Sequence, residues 1–298
     1  MEQSNNSNSR IESFLENPNK ALWTLAIPIM FGMGIHTLYN LIDMIFIGRL
    51  GGSAIAGVAF NMPIFFLMLG LTMGLGSGIT SAIARYIGEK NKEKADNSAD
   101  HALFIAAIIS FFFTIAGVLY GRDILIILGA KGDILSLGYD YLSYIVLGLP
   151  FMVFSGFFRS ILAGEGDMKF PMMIAGLGTV LNIILDPIFI FDLDDYWGLG
   201  LGLGVKGAAL ATVISQLTVF IIFSYMLFIK KHAYISFNFK NFKLSKEILW
   251  NIIKVGVPAS LSMIIMAVGQ GVFNKILINY SPQTVAAYQV AGRLDMLI

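Results

Sequence analysis

No cysteine occurs in the 298 residues, which excludes disulfides, thiol nucleophiles and thiolate metal sites. Histidine is nearly as scarce: His36, His101 and His232 stand far apart, and no pair has the spacing of a zinc-binding helix. Charge is thin as well. Lys, Arg, Asp and Glu make up 13% of the chain, about half of the roughly 25% usual in soluble domains, and this excludes an ordinary water-soluble enzyme. The 20 basic and 19 acidic residues leave a formal charge of +1, with no basic excess for a nucleic acid. No glycine-rich phosphate loop is present, so the pattern points to an energy source other than ATP hydrolysed by this chain.

What is abundant is apolar: 56% of the residues are hydrophobic. A bilayer-spanning helix needs about 20 mostly apolar residues, and such runs recur between short clusters of charge and glycine. The spacing predicts spans over 21–48, 54–87, 102–121, 139–162, 170–191, 205–229 and 248–279, with an eighth apolar run beginning near Thr284 and still open at Ile298. The stretch 51–84 contains no charged residue at all, which no water-soluble core helix of that length would show. The expected fold class is therefore an all-α integral membrane protein, a polytopic helical bundle.

Lys and Arg set the orientation. Arg10, Lys20, Arg85, Lys90, Lys92, Lys94, Arg159, Lys169, Lys230, Lys231, Lys240, Lys243, Lys246 and Lys254 fall on one side; Arg49, Arg122, Lys131 and Lys206 fall on the other, with Asp192, Asp194 and Asp195. The N-terminus is expected to be cytoplasmic, in a multi-pass protein of the cell inner (plasma) membrane. Residues 1–20 read as a polar cytoplasmic segment, 21–230 as a six-helix N-terminal lobe, 231–247 as a basic cytoplasmic linker skimming the anionic leaflet, and 248–298 as the start of a truncated second lobe. A repeat at an offset of 230 supports this division: Pro28, Met33, Ile35 and Ala56 match Pro258, Met263, Ile265 and Ala286. Secondary transporters are commonly built from two such bundles.

Ionised side chains in hydrocarbon cost roughly 2.5 to 3.5 kcal/mol on the most lenient scale, so those retained inside a span are functional candidates. Asp43 precedes Arg49 by six residues, Asp186 precedes Asp192 by six, and Thr212 follows Lys206 by six. With spans one and five running outward and six inward, all three lie about 9 Å below the outer boundary. Tyr39 and Asn182 sit one turn from Asp43 and Asp186 on the same faces. Pro187 deprives the carbonyl of Ile183 of its helical partner and is expected to kink span five beside the acid. This polar layer suits either a proton, which desolvated neighbouring carboxyls hold tightly, or a sodium ion among hard oxygen ligands. A purely structural hydrogen-bonded knot is the alternative. At the repeat offset Asp43 corresponds to Phe273 and Tyr39 to Gly269, and no acid occurs between Ile248 and Leu294, so the coupling chemistry is expected in the first bundle alone.

Two motifs suggest a rival chemistry. Tyr139-Asp140 and the run from Gly164 to Asp167 resemble the paired motifs of an intramembrane aspartyl protease. Their acids flank span four, 27 residues and about 40 Å apart in a helix, whereas catalysis requires them to share a proton. The 15 Met and 24 Phe can either line an adaptable ligand surface or fill helix contacts.

Pro28, then Asp43 through Gly51, resembles the first-helix signature of the MATE (multidrug and toxic compound extrusion) family. Arg159 and the run Ala163-Gly164-Glu165-Gly166-Asp167 with Lys169 and Pro171 is similar to its loop between helices four and five. Asn182 to Pro187, with Gly207, Ala208, Ala209 and Thr212, resembles its helix five and six motifs. The resemblance implies twelve helices in two six-helix lobes and export of cationic or amphipathic drugs, in exchange for sodium or protons, by alternating access. It assigns ion coupling to Asp43, Asn182, Asp186 and Thr212, with Tyr39 adjacent. The absence of an acid in span seven resembles the DinF-like and archaeal branch. No enzymatic activity and no cofactor beyond a bound sodium ion or proton is implied, and the partners are small organic cations, membrane lipids and the coupling ion, with the protein a monomer. A flippase for lipids or lipid-linked precursors is the rival within the same class; a channel or structural membrane protein is the rival outside it.

Overall fold

The computed structural model describes residues 23, 27, 30, 34, 42–192, 200–237 and 242–295. These form helices joined by short turns, with no strand among the described residues. Helix α1 covers residues 42–49. It is followed by α2 (Gly52–Ala59), α3 (Met62–Gly88), α4 (Lys92–Leu128), α5 (Gly132–Gly164), α6 (Lys169–Ile190), α7 (Val205–Ser224), α8 (Lys246–Leu277) and α9 (Pro282–Asp295). A π-helical turn, Tyr225–Ile229, continues α7. Among the described residues, six stretches are long and apolar enough to cross a bilayer, α2 and α3 counting as one.

The span expected over 54–87 is one stretch, Gly52–Gly88, within which the helix is interrupted at Phe60 and Asn61. Pro63 has no N–H to return to the carbonyl of Ala59, and that carbonyl instead accepts a 2.9 Å hydrogen bond from Nδ2 of Asn274 on α8. Asn61 Nδ2 donates to the carbonyls of Gly57 (3.1 Å) and Gly138 (3.0 Å), holding the break against α5. The third span is longer than its apolar run: α4 has 37 residues, about 55 Å, against a hydrocarbon core of roughly 30 Å. Its polar first turns carry Lys92, Lys94 and Asp96. Asn91 caps its start by accepting from the Lys94 N–H, and Gly129, at φ 106°, closes its end in the left-handed conformation.

The main core gathers α3, α4, α5 and α7 around Tyr86, Phe157, Phe158 and Phe223, all fully buried. A second, smaller cluster of Ile47, Ala54, Val58, Ile190, Phe191, Val205 and Ala208 joins α1, α2, α6 and α7. On α4, Phe111 and Phe112 turn outward, 70% and 64% exposed, as a face meeting lipid does.

Helices α3 and α8 touch along a seam of small residues. A Cβ added to Gly74 would lie 2.0 Å from Ser260 Oγ, one on Gly78 would lie 2.1 Å from the carbonyl oxygen of Ile252, and one on Gly70 would meet Met263 at 2.4 Å. Across the seam, Gly256 admits the backbone of Leu75. In lipid, where apolar surface gains nothing from leaving solvent, such close approach is what holds helices together.

Candidate functional site

Asp43 sits on α1, Asn182 and Asp186 on α6, and Thr212 on α7. Asp43, Asn182 and Asp186 are buried, Asp186 completely. Asn182 Nδ2 donates to Asp186 Oδ1 at 3.3 Å, the one-turn pairing that the sequence suggests. The charge of Asp43, on α1, acts against that of Asp186 on α6. Asn182 Oδ1 and Asp186 Oδ2 are buried and accept no hydrogen bond among the described residues. Two vacant acceptors beside a second carboxylate form a site rich in lone pairs and poor in donors, and a proton or a small hard cation is the complement to it.

Thr212 is held at this level by the register of α6 and α7. A Cβ on Gly178 would meet Val219, and one on Gly207 would lie 2.3 Å from the carbonyl of Phe189. Counting along both helices from either contact puts Asp186 level with residues 210–211, next to Thr212. The Thr212 hydroxyl donates to the carbonyl of Ala208 at 3.0 Å, leaving its lone pairs to face elsewhere. Tyr39 lies outside the described residues. At Pro187 the helix continues: α6 runs through it to Ile190, and the N–H of Phe191 bonds the Pro187 carbonyl.

No local pattern marks how the C-terminal end of α6 closes. The N–H groups of Leu201, Leu203 and Gly204 donate to the carbonyls of Ile188, Phe189 and Ile190, satisfying acceptors that a helix end leaves open. Gly202 makes this return at φ +64°, its absent side chain leaving room for the Asp192 carboxylate. Outside it, Lys206 pairs with Asp140 at 3.5 Å. Asp167, at the other end of α5, instead contacts His232 at 3.2 Å. The two acids of the protease-like motifs are thus held apart by the length of a helix.

Also unanticipated is the role of Glu165. Its carboxylate accepts from the N–H groups of Tyr234 (3.0 Å) and Ile235 (2.7 Å), and Asp96 accepts from that of Ser236 (2.9 Å). Further along, Asn97 donates to the carbonyl of Lys243, and His101 Nε2 accepts from the N–H of Ser245 while its Nδ1 faces the carbonyl of Asn97. The connection after α7 is therefore tied to the first bundle by main-chain bonds. Nothing in a single sequence marks a carboxylate that will cap two amides seventy residues away.

Burial pushes the Glu165 carboxyl up to about 7, although the two N–H bonds favour its charged form. An acid raised in the attached state binds more protons there than when released. Attachment is hence strongest below the ordinary carboxylate range and weakens as pH rises toward 7, by an amount on the order of 3 kcal/mol. A nitroxide on Ser236→Cys is expected to be more mobile at pH 8 than at pH 5, and Glu165→Gln should flatten that dependence. Equal mobility at both pH values in the otherwise unchanged chain would contradict this.

Among the described residues the fold is helical throughout, with six stretches able to cross a bilayer, the framework of a polytopic membrane protein. The MatE family model matches residues 28–188. The multidrug export protein MepA of Staphylococcus aureus (strain MRSA252) is 31% identical over 278 residues, which cover 92% of this chain and 59% of that protein. The protein of the same name from Staphylococcus saprophyticus is 30% identical over 276 residues. Among solved structures, a MOP superfamily transporter from Pyrococcus furiosus is 39% identical with a TM-score of 0.83, covering 94% of this chain and 60% of that one. An outward-facing multidrug resistance MATE family transporter is 38% identical, with a TM-score of 0.82. The chain belongs to the MATE family. It spans about three fifths of the length of these relatives.

Proposed function

We propose that the protein is a cation-coupled exporter of cationic or amphipathic organic compounds, working by alternating access with its N-terminus in the cytoplasm. One observation carries the coupling: the buried, acceptor-rich meeting of Asp186, Asn182 and Asp43. A cation entering from the outer side neutralises two mutually repelling carboxylates, and leaving it desolvates them again, so occupancy favours one packing of the surrounding helices over another. Thr212 supplies a further oxygen at the same height, and Tyr39 stands one turn from Asp43 in the sequence. Relatives described as multidrug export proteins support the cargo class.

The deciding experiment is efflux of a fluorescent organic cation from proteoliposomes under a sodium gradient and, separately, a pH gradient. Saturable export driven by one of the two is expected. Export indifferent to both gradients, or non-saturating ion flux, would overturn the reading, the latter in favour of a channel.

A further inference from the structure

The acid site leaves one charge inside the bundle without a role. Arg159 lies on α5, five residues before the helix ends at Gly164, and is only partly exposed. Among the described residues no ion pair or hydrogen bond reaches its guanidinium, and burial alone acts on it. A buried cation left unpaired is costly, and the membrane raises that cost.

The face it occupies follows from spacing. Tyr141, Gly148, Met152, Ser155 and Arg159 repeat at intervals of seven, four, three and four, which is one stripe of a helix. Tyr141 packs on the cluster that joins α1, α2, α6 and α7, and Gly148 meets Val213 of α7. The stripe therefore looks into the bundle. Gly148 stands beside the Thr212 layer, and Arg159 is eleven residues further toward the Glu165 end, about 16 Å from the acids. That is too far for direct pairing.

Its surroundings hold hydroxyls, each able to donate as well as to accept. Ser155, one turn away on the same stripe and 6% exposed, has a buried Oγ with no partner. Thr72, 3% exposed, is level with it, since a Cβ on Gly156 would touch Thr72 Cγ2; the Thr72 Oγ1 is likewise buried and unbonded. A guanidinium has five donors and no acceptor, and its fork matches the paired oxygens of a carboxylate or phosphate. Two idle hydroxyls beside it can donate to the same group.

We propose that Arg159, with Ser155 and Thr72, forms a binding site for an oxyanion of the phosphate class in the half of the bundle opposite the acid pair. Either an anionic phospholipid head group or a free phosphate carries that chemistry. The protein would then hold charges of both signs at separate heights, one for the cation and one for an anion.

The test uses delipidated protein in neutral detergent, titrated with phosphatidylglycerol and, separately, with inorganic phosphate. Retained molecules are counted by native mass spectrometry, and the thermal midpoint is followed. One tightly held anion is expected, at least tenfold weaker in Arg159→Gln and weakened to a lesser degree in Arg159→Lys, which keeps the charge and loses the fork. Lys230→Gln/Lys231→Gln, altering surface charge only, should retain it. Binding of the lipid alone identifies a lipid site; binding of both ligands identifies a free-phosphate site. Equal anion binding by the parent and Arg159→Gln overturns the proposal. So does a thermal midpoint raised equally by that substitution with and without anion, the behaviour of a merely uncompensated charge. If Arg159→Gln does not fold, the Arg159→Lys comparison decides alone: unchanged affinity refutes the forked contact.

Discussion

Asp186→Asn is expected to abolish cation-driven export, lowering the rate at least about a hundredfold, while the protein still inserts and folds. The amide is nearly isosteric with the carboxyl and can still accept from Asn182 Nδ2 at the position now 3.3 Å away. It can neither carry the charge that attracts a cation nor take up and release a proton. Folding should be unharmed or slightly improved, because the substitution removes the repulsion between Asp186 and Asp43 and the desolvation of a completely buried carboxylate. Asp43→Asn should behave alike, and the double variant should be no worse than either single one, as expected for groups acting as a unit. The measurement is efflux under the driving gradient together with a thermal midpoint. Undiminished efflux in both single variants would remove the coupling role; loss of efflux with a collapsed midpoint would mark the pair as structural.

The second large effect is expected at the seam. In Gly74→Val or Gly78→Val a branched side chain would occupy space held by Ser260 and by the Ile252 carbonyl, 2.0 and 2.1 Å from the new Cβ. Both obstacles are main chain or close to it, so no distant rotamer can yield. Overpacking a tight contact costs typically 1–3 kcal/mol, and here each change also parts the helices along neighbouring contacts, so a loss at or above the upper end is expected. Gly88→Ala is the control on the same helix, since nothing lies within 4 Å of its Cβ; it should be neutral or stabilising by up to about 1 kcal/mol. Thermal unfolding in detergent reads all three. A valine at Gly78 tolerated as well as an alanine at Gly88 would mean that α3 and α8 do not meet as described.

Run length made six of the spans legible in the sequence, while most of the first, over 21–48, lies outside the described residues. The common depth of Asp43, Asp186 and Thr212 could be counted from the nearest boundary charge, because a helix rises at a fixed rate. Local rules ran out where a contact joins distant parts of the chain. The break at Asn61 has a local half, Pro63, which the sequence contains in plain view, and a remote half, Asn274, which it does not reveal. The glycines of α3 look like ordinary small residues until α8 is laid against them. Glu165 and Asp96 accept from main-chain amides of the connection, contacts that no local pattern marks. Arg159 counted as one of many basic residues setting orientation and as part of the motif around Gly164. Its missing partner is a property of the packed bundle.

The seam between α3 and α8 separates two boundaries that the repeat alone would merge. The repeat read from the sequence would divide the chain at the connection after α7. Mechanically, α8 is gripped by α3 through glycine-to-backbone contacts at three successive turns, and a rod clasped so closely cannot slide without unclasping everywhere at once. Any rearrangement of these helices must therefore carry α3 and α8 together as one body, whatever division the repeat suggests.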